Sequence, residues 1–412
     1  MYRPSTPTNR AVLFQLRRAG IALLLALLAT TALAVPVAAM PGDADGETLV
    51  VDADGGGYEA INPAVADAEA GDTVVVRPGT YREAVTIDAD ITLVAPDGAT
   101  IDGTNVDADG AFRIPSERDI APVIDGFAIV NHSSAVRAWN TDGDWVFRNS
   151  TVRNASSTGI VAVRSNGDWT VRNVEVHEAR TAIDARSSGG NWTVEDTTLR
   201  ESDHHGVFAR GTDGDWTLRN VTVDGTGLVG VDAYIASDDW TVRNATIENT
   251  TVAVNAAGTN GSWAVRRTTI ANTTTSQRYD FLKPNLPEGT AIYAGDATGN
   301  WSVHESVFRD NDGGIAAPDA DPPGTAVNNT WDGSVTPADD DCTGNVVCEG
   351  RSTPTPSSTE SGEGTETATA TRAATERTPD GATRLDQPLS PVVPVAALLA
   401  AAALAGLTLR RP

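Results

Sequence analysis

Between Val136 and Phe308 the chain repeats one pattern of apolar and polar positions. GDWVFRNSTV at 143–152 returns as GDWTVRNVEV at 167–176, GNWTVEDTTL at 190–199, GDWTLRNVTV at 214–223, DDWTVRNATI at 238–247, GSWAVRRTTI at 261–270 and GNWSVHESVF at 299–308. The marker tryptophans, Trp145, Trp169, Trp192, Trp216, Trp240, Trp263 and Trp301, are spaced 24, 23, 24, 24, 23 and 38 residues apart. Apolar columns run in phase with them. Nine before each Trp lie Val136, Ile160, Ile183, Val207, Val231, Val254 and Ile292, and Ala stands seven before in every copy. Two after stand Phe147, Val171, Val194, Leu218, Val242, Val265 and Val303, and seven after stand Val152, Val176, Leu199, Val223, Ile247, Ile270 and Phe308. Within each short run apolar and polar residues alternate, which is strand period rather than helix period. Gly or Asp two before Trp supplies a turn. One copy is therefore about three short strands separated by bends, and a fixed period of this size predicts a solenoid. The predicted fold is all-β, a right-handed parallel β-helix of 23–24-residue coils, its hand set by the crossover rule.

Two polar columns follow the same period. Asn149, Asn173, Asn220 and Asn244 stand four after Trp and are expected to form an inward ladder on buried bend backbone. Arg148, Arg172, Arg219, Arg243 and Arg266 form an outward column interrupted by Glu195, a solvated charge ladder that Asp144, Asp168, Asp215 and Asp239 would screen across the turn.

Outside the repeat the pattern changes character. Residues 1–39 read as an export signal: Arg17 and Arg18 precede an apolar run from Ala19 to Ala34, with small-residue cleavage sites after it. Residues 40–115 form an N-terminal cap and first coils, and 116–350 the β-helix repeats with a C-terminal cysteine loop. In the cap, a short amphipathic helix with Ile61, Val65 and Ala68 on one face would plug the open end of the solenoid, followed by strands at 73–77, 84–88 and 91–95. Residues 351–390 are rich in Thr, Ser, Glu and Pro and read as a disordered, O-glycosylated stalk. Residues 391–412 hold the apolar run Val392–Leu409 before Arg410 and Arg411, which reads as a membrane anchor at the cell surface. Cys342 and Cys348 are the two cysteines, and in an exported chain they are expected to close a disulfide loop. Eleven N-x-Ser/Thr sequons mark the chain as a potential glycoprotein.

The net charge is −25, with Lys283 the single lysine against 29 arginines (30 basic residues less one). This acid-rich, lysine-poor composition resembles that of proteins from salt-loving archaea and keeps a chain soluble at high salt. It argues against nucleic acid as a partner, because phosphates need a basic face.

The stretch 48–103 contains a glycine run with Tyr58, the helix, GDTVVVRPGTYRE and ITLVAPDGATIDG; IDGFAIVN at 124–131 opens the regular coils and AVNNTWDGS lies at 326–334. Together these resemble the pectin-lyase-like superfamily over roughly 48–335. That resemblance implies a right-handed parallel β-helix, and it spans polysaccharide lyases, glycosidases, methylesterases, epimerases, adhesins and copper-maturation proteins, so it leaves function open. It also implies a substrate cleft on the sheet that holds Val136, Ile160 and Ile183.

On that sheet the outward positions are eight and six before each Trp. The first column reads Arg137, Val161, Asp184, Phe208, Asp232, Asn255, Tyr293, and the second Trp139, Val163, Arg186, Arg210, Tyr234, Ala257, Gly295. Asp184 and Asp232, two coils apart, are candidate catalytic carboxylates with a water between them. Arg186 and Arg210 are candidates to hold a uronate carboxylate, and His205, beside His204, to act as a general base. Arg137, Trp139, Phe208, Tyr234 and Tyr293 are candidate ligand-binding residues, with Lys283 on the 276–288 insertion that lengthens the last spacing. Asp203-His204-His205-Gly206 is a loose echo of a polygalacturonase motif, and the paired Asp-Asp of that family is missing. No cofactor or metal is expected, apart from Ca2+ if the chain is a lyase. Three readings stay open: a surface-anchored protein binding or scaffolding polysaccharide, a polysaccharide lyase or glycoside hydrolase, and a purely structural surface protein.

Overall fold

The structure is a computed structural model that describes residues 46–275, 287, 289–332 and 342–349. Three parallel sheets wind around one core. Sheet I holds Phe112–Ile114, Val136–Ala138, Val229–Asp232, Val252–Asn255, Thr290–Tyr293 and Gly313–Ala317, with segments of longer strands between. Sheet II begins at Thr48–Val51 and Thr73–Val76, runs through the Trp-led strands and ends at Val346–Glu349. Sheet III contains Thr222–Asp224, Thr246–Thr250, Thr269–Thr273, Val307–Arg309 and Thr330–Asp332. The Trp-led and sheet I strands pair in register by repeat, Trp145 with Trp169, Trp169 with Trp192 and Val136 with Ile160, and register shifts occur at bends such as Ala179–Thr181 and Val94–Ala99.

That register puts all the marker tryptophans in one interior column. Consecutive rings stack at 4.7–5.1 Å between centroids and within 2–6° of parallel, from Trp145 to Trp301. Each burial of roughly 150–250 Å² of mostly apolar surface contributes about 4–6 kcal/mol before entropy is counted. Indole N–H groups bond only in part. Trp145 donates to Ser165 Oγ (3.1 Å) and Trp216 and Trp263 to Thr212 and Thr259 Oγ1 (3.2 and 3.1 Å), while Nε1 of Trp169, Trp192, Trp240 and Trp301 is buried without a partner. Past Trp301 the same position is Gly324, where a Cβ would meet the Trp301 ring at 1.9 Å.

Two columns differ from expectation. Asn149, Asn173, Asn220 and Asn244 are exposed, not inward, and they sit at φ 51, 51, 55 and 52. The bend between sheets II and III needs a left-handed residue, and Asn tolerates that conformation better than other residues with a Cβ. Their side chains still form a ladder, Asn173 donating to Asn149 Oδ1 at 2.8 Å and Asn244 to Asn220 Oδ1 at 3.4 Å. Nor do the aspartates before Trp screen the arginines. Asp144, Asp168, Asp215 and Asp239 each accept a backbone N–H from the next coil through Oδ1, at 2.7, 2.8, 3.0 and 2.7 Å. Arg172 and Arg219 instead flank Glu195, the residue that interrupts their column, and Arg148 pairs with Asp125 at 2.8 Å.

The cap is a single helix, Ile61–Asp67, whose Ile61, Ala64 and Val65 join the main core. Ala68 falls just past its end. The Glu83 carboxylate accepts the leading N–H groups of Ile61 and Asn62 at 2.8 and 2.9 Å, where the helix dipole favours a negative charge. The strands that follow are Thr73–Val76, Thr80–Tyr81, Val85–Thr86 and Thr92–Asp102. At the other end Cys342 and Cys348 form a disulfide. It ties Cys342–Gly344, paired on Ile315–Ala317 of sheet I, to Val346–Glu349, paired on Gly324–Val327 of sheet II. The export signal, the stalk and the apolar run Val392–Leu409 lie outside the described residues. Among the described residues no helix is long and apolar enough to cross a membrane.

Candidate functional site

The outward face of sheet I is where the copies differ. Backbone pairing places Asp184, Phe208, Asp232, Asn255 and Tyr293 in one row. The second row follows from Asn140 N–H to Val163 O, Arg164 to Arg186 O, Ser187 to Arg210 O and Gly211 to Tyr234 O, which stack Trp139, Val163, Arg186, Arg210 and Tyr234 on successive coils. A third column, Thr181, His205, Val229 and Val252, lies eleven before Trp. Leu228, Val229 and Val252 form an apolar cluster separate from the main core, and Tyr293 packs on it.

The charged residues form closed pairs. Arg186 donates Nε–H and Nη2–H to the two Asp184 oxygens at 2.9 and 2.7 Å, and its guanidinium carbon lies 4.8 Å from the Phe208 ring centre. The Asp184 bonds push the Arg186 pKa further up. Asp232 is 1 % exposed. Around it stand Asn255 Nδ2 (2.9 Å), the Tyr234 N–H (3.2 Å), His205 Nε2 (3.5 Å) and Arg210 Nη2 (3.6 Å). Asn255 is itself buried and accepts the Ala257 N–H, so it fixes the carboxylate from below. A buried carboxylate persists when donors surround it in this way. The two carboxylates are therefore not an open pair facing a shared water. The Phe208 coil stands between them and each is covered by its own cation.

His205 stacks face to face on Phe208, with centroids 4.2 Å apart and planes within 1°, and its Nδ1 is buried without a hydrogen-bond partner. With Nε2 turned to Asp232, neither ring nitrogen faces an incoming substrate as a general base would. Burial lowers the His204 pKa, and neighbouring Arg180 and His205 add to the effect. Phe208, between His205 and Arg186, is not a free stacking surface. Trp139 and Tyr234 are: each is 37 % exposed, and each carries an arginine over its ring, Arg137 at 5.4 Å and Arg210 at 4.6 Å. Lys283 lies outside the described residues, as does nearly all of the 276–288 insertion.

Ile235, next to Tyr234, was hidden from the column reading. It is 46 % exposed and left-handed at φ 53. The other copies place Asn140, Arg164, Ser187, Gly211, Gly258 and Asp296 at this bend, so one apolar residue among them was the available signal. A β-branched residue in this conformation is strained.

The donor set does not suit calcium, because Asp184 and Asp232 are already engaged by Arg and Asn donors. Among the described residues, His177, Glu178 and Glu201 bring ligand atoms within 4.8 Å of one another, on an outer turn away from this face. A groove of about 1040 Å3 runs along sheet II instead, floored by Thr170, Thr193, Thr217 and Thr241 beneath the Asp144–Asp239 row. It repeats the same residues coil after coil, and its aspartates are committed to backbone N–H groups, so it offers no localised site.

Parallel sheets, in-register columns and a capping helix define the class: a parallel β-helix. Residues 134–338 match the family model for a right handed beta helix region, in agreement with the parallel β-helix fold. No curated protein matches the chain. Among solved structures, pectate lyase Pel9A is 15% identical over 76% of this chain and 82% of its own, with a TM-score of 0.38. A family 28 exopolygalacturonase from Yersinia enterocolitica is 10% identical, covering 73% and 78%, with a TM-score of 0.47. A polygalacturonase from Erwinia carotovora ssp. carotovora is 13% identical, covering 74% and 96%, with a TM-score of 0.45. At these identities no activity passes from them to this chain.

Proposed function

We propose that this is an exported β-helix, held at the cell envelope by residues 391–412, that binds or scaffolds polysaccharide on the outward face of sheet I. The observation that carries the reading is the exposure of Trp139 and Tyr234, each backed by an arginine, on a face whose residues change from coil to coil. Aromatic rings with one apolar face and polar neighbours are suited to stacking on sugar rings while arginine N–H groups bond hydroxyls. The acid-rich composition fits work at high salt. A catalytic role lacks an open carboxylate pair or a base turned outward, so binding without turnover is favoured.

The test is retention of the full chain, in high salt, on a panel of neutral and acidic polysaccharides. At least one should retain it, and a Trp139→Ala/Tyr234→Ala double variant should pass through. No retention on any glycan rejects the reading. Release of product by the wild type, abolished by Asp184→Ala, would replace it with the enzyme reading.

A further inference from the structure

The platforms are spaced and the charges between them are closed, which narrows the ligand. This step rests on the polysaccharide reading above. Trp139 and Tyr234 belong to the same outward row, with Val163, Arg186 and Arg210 on the three coils between. Four coil spacings separate the two rings' positions, roughly 19 Å at about 4.8 Å per coil. Within that row both arginines between the rings have a carboxylate of the chain itself, Arg186 both oxygens of Asp184 and Arg210 the Asp232 carboxylate, while Arg164 in the neighbouring row has none among the described residues. The two pairs sum to zero charge. A uronate carboxylate arriving here would have to displace Asp184 from Arg186, or approach it against like charge. Hydroxyl groups face no such cost, because the remaining guanidinium N–H groups and carboxylate lone pairs accept them as donors or acceptors.

At the Tyr234 end the surface is enlarged by Ile235, which keeps an exposed apolar side chain at a left-handed position where its column mates are polar or glycine. Gly211 and Gly258 on the coils either side leave that side chain uncrowded, the nearer virtual Cβ, at Gly258, lying 3.1 Å from Ile235 Cγ2. A strained, exposed apolar residue beside an exposed tyrosine points to a surface kept for contact rather than for folding.

We infer that this face takes a neutral, extended glycan of about four to five sugar residues, lying along the helix axis, with one end ring on Trp139 and the other on the Tyr234–Ile235 surface. Each platform alone gives weak binding, and a chain long enough to reach both gains from the second contact being intramolecular.

The experiment is titration calorimetry of the full chain with β-1,4-linked glucose and mannose oligosaccharides of about two to six residues, against oligogalacturonates of the same lengths, at low and high salt. Affinity for a neutral series should rise at least about tenfold once the chain spans both platforms, should change little with salt, and should exceed that for the uronates. Trp139→Ala and Tyr234→Ala should each remove that length-dependent rise while circular dichroism shows the fold intact. Tighter, salt-sensitive binding of the uronates overturns the neutral assignment and leaves the polysaccharide reading standing. Affinity independent of length overturns the two-platform geometry. Absence of binding to every oligosaccharide and to every polysaccharide of the panel rejects the polysaccharide reading itself.

Discussion

Arg186 grips the Asp184 carboxylate with two N–H groups, at 2.9 and 2.7 Å, in the middle of the face that would meet a ligand. The pair is two residues apart on one bend, so its closure is built into a single coil. Removing the acid should convert the face from neutral to cationic. Asp184→Ala is expected to raise affinity for oligogalacturonates by about tenfold at low salt, with the gain shrinking as salt is added, since one unpaired charge-assisted contact is worth about 1.5–3 kcal/mol. Calorimetry at two salt concentrations reads this, and an unchanged uronate affinity would show that Arg186 is inaccessible.

Ile235 sits left-handed at φ 53. Ile235→Asn, the residue that stands at position 140 of the same column, should relieve strain of about 1–2 kcal/mol and stabilise the fold. It should also weaken glycan binding several-fold, because the apolar contact goes. Denaturant midpoint and calorimetry on one preparation separate the two effects, and a variant neither more stable nor weaker in binding would contradict the assignment.

The tryptophan column should be least tolerant at its centre. Trp192 stacks at 4.7 Å on Trp169 and 4.8 Å on Trp216, so Trp192→Ala removes two ring contacts and leaves a cavity. A loss of about 3–5 kcal/mol follows. Trp301→Ala, at the end of the column, should cost less, and equal urea midpoints for the two variants would argue against ring stacking as the source.

His132 is buried with neither ring nitrogen bonded, and burial pushes its pKa below the ordinary 6.5, opposed by the charge of Asp102. The unfolded chain therefore takes up a proton here before the folded one does. Stability from this residue is full above about pH 6.5 and falls as pH drops below that value. His132→Leu should flatten the decline between about pH 7 and pH 5, measured by chemical unfolding. Asp102, whose pKa its Asn131 and Thr104 hydrogen bonds hold well below the usual carboxylate range, acts only at lower pH: its contribution is lost below the unfolded carboxylate value of 3.8.

The Asn column gives the mildest test. Asn173→Gly should be near neutral and Asn173→Ala should cost about 1 kcal/mol, because the left-handed bend penalises an ordinary Cβ. Equal losses would mean that the side-chain ladder, and not the backbone, sets the preference.

Much of the fold was legible because every coil restates it. The columns at Val136, Trp145 and Val152 fix three sheets and their register, and the helix with Ile61 and Val65 announces its own buried face. What the period could not show was direction at the bends. Asn149 and its mates read as inward, since the same residue recurring suggests burial, whereas a left-handed φ selects Asn on the outside equally well. The site was legible as a set of positions and not as an arrangement. Asp184 and Asp232 stand where expected, but their partners are two residues away or on the next coil, and side-chain pairing leaves no trace in spacing. Asn255, which fixes Asp232 from below, looks in sequence like any column mate.

The coils are stacked in register, and the two exposed rings stand on the first and last of five successive coils in one row. The molecule can thus act as a ruler, graduated in turns of the chain. Duplicating one coil between Trp139 and Tyr234 would lengthen the ruler by a single graduation without touching either contact. Deleting one would shorten it, and the preferred chain length of a bound glycan should step up or down by one sugar with it.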